Sequence, residues 1–125
     1  MLGFSFYNID GSWRNKMVHI GAGVDSFYEY LLKTYVLFDC KECKDWHQKL
    51  TAAIYKNLQT NHWFKRIELD SMKDFSWQVD GLTAFWPGME VLRGNVFPAS
   101  MYHANLYYLW AHFHALPENF DINSS

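Results

Sequence analysis

Three carboxylates stand where the chain changes direction: Asp25 follows Gly21-Ala22-Gly23-Val24, Asp80 opens an aromatic stretch, and Glu118 follows Leu116-Pro117. Side chains at element boundaries can converge from several helices on one end of a bundle. Acids that meet beside Trp and Phe suit glycoside hydrolysis, in which one carboxyl protonates a leaving oxygen and another activates water. The same acids also fit a plainer reading as helix-terminal or surface carboxylates, with Asp25 a partner of a helix dipole. Spacing alone does not lead to glycoside hydrolysis, and the pattern by itself favours the plainer reading.

Other chemistry-bearing residues lead less far. Cys40-Lys41-Glu42-Cys43 and His47 supply at most three zinc ligands, and a structural zinc site needs a fourth. The cysteines read as an exposed thiol pair or a local disulfide. His112 and His114 cannot share a helix face at their spacing, and with His103 they read as surface or core-edge histidines. Gly21-Ala22-Gly23 lacks the third glycine of a dinucleotide loop and has an acid where a pyrophosphate would sit. A tight turn that delivers a carboxylate to a cleft fits it better.

The elements that must position these residues are mostly helical. Asp10-Gly11, between Phe6, Tyr7, Ile9 and Trp13, Val18, Ile20, predicts a hairpin of two short strands within residues 4–20. Phe27, Tyr28, Leu31, Leu32, Tyr35 and Val36 then recur at helical spacing, and Ser26 with Glu29 has the spacing of a capping box. Trp46, Leu50, Ala53, Ile54 and Leu58 predict a second helix, paired with the first through a short connection. Residues 59–79 read as loop with short extended segments. Leu82, Phe85, Trp86, Met89 and Leu92 resume a helix that Pro87-Gly88 interrupts and Gly94-Asn95 stops. Met101, Asn105, Leu106, Leu109, Trp110 and Phe113 carry a fourth helix from Pro98 toward Leu116-Pro117.

Composition bounds the function. The chain has 125 residues, half of them hydrophobic and 19% charged, which excludes disorder, collagen and low complexity. Its aromatic share of 19% needs a deep core or a partner surface to cover it. A net charge of −2 lacks the positive field that a nucleic acid would require. No apolar stretch reaches the roughly 20 residues that span a bilayer, and Met1-Leu2-Gly3-Phe4 lacks the basic start of a signal peptide.

The run Gly21-Ala-Gly-Val-Asp-Ser-Phe-Tyr-Glu-Tyr-Leu-Leu-Lys33 resembles the signature of the class I α-mannosidases, glycoside hydrolase family 47. Asn8-Ile-Asp-Gly-Ser-Trp13, Asp80-Gly-Leu-Thr-Ala-Phe-Trp-Pro-Gly-Met-Glu-Val-Leu-Arg-Gly94 and Ala115-Leu-Pro-Glu-Asn-Phe120 resemble flanking blocks of that family, in the same order. The likeness leans toward its ER degradation-enhancing branch, because Gly23 and Gly81 stand where processing enzymes tend to carry Arg and His.

This resemblance implies a mainly α fold, an (α/α) toroid of helical hairpins around a central cavity, with a short β-hairpin. It implies inverting hydrolysis of α-1,2-mannose on high-mannose N-glycans of misfolded glycoproteins, with bound calcium, in the endoplasmic reticulum. ER oxidoreductases or chaperones are its implied partners. Asp25 matches an acid assigned as base or positioning carboxylate, Glu118 matches one assigned as proton donor, and Asp80 matches an acid of the substrate cavity. The family's upstream glutamate, its downstream Arg-Pro-Glu motif and its calcium-holding threonine find no match here. Residues 1–125 are therefore expected to be part of a catalytic domain, inactive in isolation. A lectin-like mannose binder of the same pathway is the alternative.

Overall fold

A computed structural model describes residues 2, 3 and 5–123. Met1 and Phe4, from the non-basic start, lie outside the described residues. In chain order the elements are β1 (Ser5–Phe6), β2 (Trp13–Asn15), β3 (Met17–Val18), α1 (Asp25–Phe38), α2 (Lys41–Asn57), β4 (Gln59–Thr60), β5 (Trp63–Phe64), β6 (Arg66–Glu68), β7 (Asp74–Ser76) and β8 (Gln78–Asp80). A 3-10 turn over Gly81–Phe85 then leads into α3 (Trp86–Leu92), α4 (Val96–Phe113) and β9 (Asn119–Asp121). Helix dominates, as expected. No helix among the described residues is long and apolar enough to cross a membrane.

The expected hairpin forms as the antiparallel pair β1–β2, closed by the Tyr7 N–H on the Ser12 carbonyl at 2.8 Å. Its second strand ends sooner than the β-branched run suggested. Val18 instead pairs with Ile67, giving an antiparallel sheet of order β3-β6-β7. Strand β4 turns into β5 through Asn61 and His62, both at positive φ, the geometry that matches a two-residue turn to strand twist.

The capping box does not form. Ser26 lies inside α1, and Glu29 pairs with Lys33 at 2.7 Å instead. The backbone starts this helix, because the Gly21 carbonyl accepts the N–H groups of Val24 and Asp25 at 3.1 and 3.0 Å. Pro87 does not interrupt a helix either: it sits in the first turn of α3, where its missing N–H has no intrahelical role. Helix α4 ends at Phe113, before Leu116-Pro117, with His114 in the left-handed conformation.

Apolar side chains from both halves of the chain close on Trp86, which is 1% exposed. Tyr28 and Tyr55 meet its ring edge to face at 6.4 and 5.9 Å, and Phe64 lies at 4.9 Å. Phe64 in turn stacks on Tyr102 of α4 at 5.1 Å. Tyr28 and Leu32 of α1, Leu50 and Ile54 of α2, and Met89 of α3 complete this core. Such offset and edge-on rings add attraction beyond their burial. Trp46, Phe97 and Trp110 remain more than half exposed, so the aromatic excess is only partly absorbed.

Candidate active site

Strand β3 leads into a buried run, His19-Ile20-Gly21, that brings the chain to the start of α1. Opposite it, Asp80 ends β8, which is held in place by β9 through the pairs Val79 with Phe120 and Asp80 with Asn119. The Asp80 carboxylate accepts the Ala22 N–H at 3.2 and 3.4 Å and pairs with Arg66 Nη2 at 3.2 Å. Both side chains of that ion pair are mostly buried. Gly21 makes the approach possible, since a Cβ there would lie 2.2 Å from Asp80 Oδ2. Gly23 lets the turn close at φ +86.

Glu118 reaches the same place by a different route. Its carbonyl accepts the Gly81 N–H at 3.1 Å, which locks the segment before β9 to the residue after Asp80. A cavity of about 290 Å³ results, lined by His19, Ala22, Arg66, Asp80 and Glu118 among others. Its size lies at the lower end of ordinary small-ligand sites. Within it the Asp80 carboxylate is fixed against Arg66 and Ala22, whereas Glu118 is exposed. A larger open cavity of about 640 Å³ beside Arg14, Lys16 and Glu68 contains none of the three acids.

Asp25 is the first residue of α1 and half-buried, and it does not line the cavity. Electrostatically it still bears on the site. Burial, then the Arg66 charge, holds His19 below the usual histidine range, while Asp80 and Asp25 pull the other way. The structure therefore brings Asp80 and Glu118 to one cavity and sets Asp25 at its flank.

Two readings of the acids need correction. Asp80 makes no side-chain cap on the turn that follows it, because its carboxylate is committed to Ala22 and Arg66. Glu118 is not at a helix exit but immediately precedes β9. His19 and Arg66 went unnoticed in the sequence, since neither sits in a motif and only the β3–β6 pairing makes them neighbours of Asp80. Cys40 and Cys43 form a disulfide, the second of the two readings open for them. His47 is 2% exposed in the core, and His103, His112 and His114 lie on the surface. Among the described residues no group of three or more His, Cys, Asp or Glu could hold a metal ion.

Comparison with known proteins reaches the whole chain. The model of glycosyl hydrolase family 47 matches residues 1–125. Alpha-mannosidase I MNS5 of Arabidopsis thaliana is 37% identical over 120 residues, covering 96% of this chain and 21% of that protein. ER degradation-enhancing alpha-mannosidase-like protein 2 of Homo sapiens is 30% identical over 114 residues, covering 91% of this chain and 20% of the relative. For ER degradation-enhancing alpha-mannosidase-like protein 1 of Schizosaccharomyces pombe the figures are 30% over 125 residues, 98% and 16%. The chain thus spans about a fifth or less of the length of these relatives.

Proposed function

Because the chain belongs to glycosyl hydrolase family 47, matched over residues 1–125, we propose that it is part of a catalytic domain that removes α-1,2-linked mannose from high-mannose N-glycans. Misfolded glycoproteins in the endoplasmic reticulum are the proposed carriers of those glycans, with ER chaperones or oxidoreductases as partners. The relatives named for ER degradation support that setting. The observation that carries the chemical reading is the cavity shared by Asp80 and Glu118, built from segments far apart in the chain.

In this reading Asp80 accepts hydrogen bonds from sugar hydroxyls, since its carboxylate is fixed by Arg66 and Ala22 and needs no reordering when a sugar arrives. Glu118 protonates the leaving oxygen, and Asp25 acts as base or positions the water that attacks from the opposite face. Calcium enters this proposal through the family, and among the described residues no group of three or more His, Cys, Asp or Glu could hold it. The pairs α1–α2 and α3–α4 are proposed as successive hairpins of an (α/α) toroid.

A second reading has an observation in its favour. Asp80 is oriented by two protein donors and keeps lone pairs free for ligand hydroxyls, which suits a binding carboxylate and so a lectin-like mannose binder. Incubating the full-length protein with a high-mannose N-glycan, and measuring both free mannose and bound glycan, separates the readings. Mannose release supports the hydrolase, retention without release supports the binder, and neither outcome sinks both.

A further inference from the structure

We propose that Cys40 and Cys43 form a thiol–disulfide exchange site, present here in its oxidised form, that takes two electrons from a thiol reductant. The pair sits at the tip of the α1–α2 connection, where Asp39 turns the chain in the left-handed conformation. Cys40 is the residue that caps α2, and its sulfur accepts the Cys43 N–H at 3.2 Å. A sulfur in that position faces the unpaired N–H groups of a 17-residue helix, whose partial positive charge stabilises a thiolate. Lys41 and Lys44 follow the two cysteines directly, and both ammonium groups stand over the Tyr35 ring on the preceding helix, at 5.8 and 5.1 Å. Lys41 is also ion-paired with Asp39, and Glu42 lies between the two cysteines, so the charged side chains nearly offset one another and the end of α2 is what favours a thiolate on Cys40.

Geometry also argues against a purely structural bond. The cysteines are three residues apart, and the first turn of α2 already fixes their separation. Closing so short a loop constrains the unfolded chain far less than a long crosslink does. Both residues are half-buried, which leaves the pair open to an attacking thiolate.

The exchange balances as follows. A thiolate of the reductant attacks Cys43 Sγ and forms a mixed disulfide, while the bond to Cys40 breaks and its electron pair stays on Cys40 Sγ at the helix end. A second reductant thiolate then attacks the reductant's own sulfur in that mixed disulfide, which releases Cys43 as thiolate. Two reductant thiols become one disulfide, the protein disulfide becomes two thiols, and the two protons given up by the reductant end on the protein sulfurs or in solvent.

The test uses the full-length protein in glutathione buffers of graded oxidised-to-reduced ratio, with trapped thiols mapped by mass spectrometry on the peptide that carries both cysteines. The pair is expected to open and close reversibly with the ratio while the far-ultraviolet circular dichroism stays constant. Opening by a dithiol but not by glutathione also supports exchange and identifies a dithiol as the reductant. In single-thiol variants at pH 6, Cys40 in Cys43→Ser should be alkylated about 10-fold faster than Cys43 in Cys40→Ser, and urea should abolish the difference. A pair that yields to neither reductant until the protein unfolds overturns the proposal, whether or not the variants fold. Equal alkylation of the two cysteines in folded variants overturns the role given to Cys40.

Discussion

The Asp80 carboxylate is held against the N–H of Ala22, 58 residues earlier, at a spot where Gly21 leaves no room for a side chain. The Asp80–Arg66 pair and the start of α1 are thereby one rigid unit, and the proposed sugar-binding acid owes its orientation to a missing methyl group.

Gly21→Ala should therefore displace Asp80 and destabilise the full-length protein by about 1–3 kcal/mol, the usual cost of an overpacked site. Combined with Asp80→Ala, its effect should be clearly smaller than the sum of the two single losses, because the clash is gone. Urea denaturation of the four proteins checks this, and strict additivity would refute the steric account.

Asp25→Asn keeps the size of the side chain and removes its charge, and turnover of mannose should fall on the order of 100-fold or more. Glu118→Gln should also slow turnover, yet leave the melting temperature nearly unchanged, since the residue is exposed. Rates within a few-fold of wild type for either variant would remove that residue from the proposed machinery.

Glu90 should prove the most costly acid for stability. It is fully buried, and it accepts Arg93 Nη1 at 2.6 Å and Asn95 Nδ2 at 2.7 Å, joining the end of α3 to the start of α4. Glu90→Ala leaves both donors unpaired and should cost about 3 kcal/mol, with Glu90→Gln milder. A chemical denaturation midpoint unmoved by Glu90→Ala would show that the link is dispensable.

Acid should begin to destabilise the protein at a pH above the range in which ordinary carboxylates titrate. Burial first, and the Arg93 charge second, push His47 down to about 4, against the opposing pull of Glu90. Below its unfolded value near 6.5 the unfolded chain binds the proton that the folded one refuses, so stability is full above that pH and falls as pH drops toward 4. The loss by His47 over that window is on the order of 3 kcal/mol. His19, also held low by burial, adds in the same direction. His47→Gln should flatten the slope of unfolding free energy against pH between 6.5 and 4, and an unchanged slope would discard the assignment.

On their own, residues 1–125 should be helical by circular dichroism, melt with little cooperativity, bind a hydrophobic dye and release no mannose with or without calcium. Leu37 and Phe38 at the end of α1 and Phe97 at the start of α4 are each more than 70% exposed, leaving apolar surface that a folded monomer rarely shows. A sharp melt by a monodisperse monomer would contradict this.

Helical spacing in the sequence located Tyr28, Leu32, Leu50 and Ile54 on buried faces, because neighbours three and four apart share a stripe whatever they pack against. It also marked Trp46 and Val36, which the fold leaves exposed, since a stripe does not say how much of it a partner covers. Trp86 went the other way. Its near-complete burial is not legible in that stripe, because Tyr55 of α2 and Phe64 of β5 close on it from elements that no local pattern joins to it. The acids at element boundaries were legible as residues. Their surroundings were not, because Arg66 and His19 become neighbours of Asp80 only through sheet pairing across some fifty residues of chain.

The β8–β9 pairing also dictates an order of events at the ribosome. Asp80 is held in register by Asn119, near the end of these 125 residues, and Gly81 is tied to Glu118. While α1 and α2 can meet as soon as they emerge, the cavity cannot be finished until residues 118–121 have been synthesised. Such late, sequence-distant closure slows folding and leaves aromatic surface bare in the meantime. A nascent chain arrested before Glu118 would thus present the very kind of incompletely folded surface that quality-control factors bind.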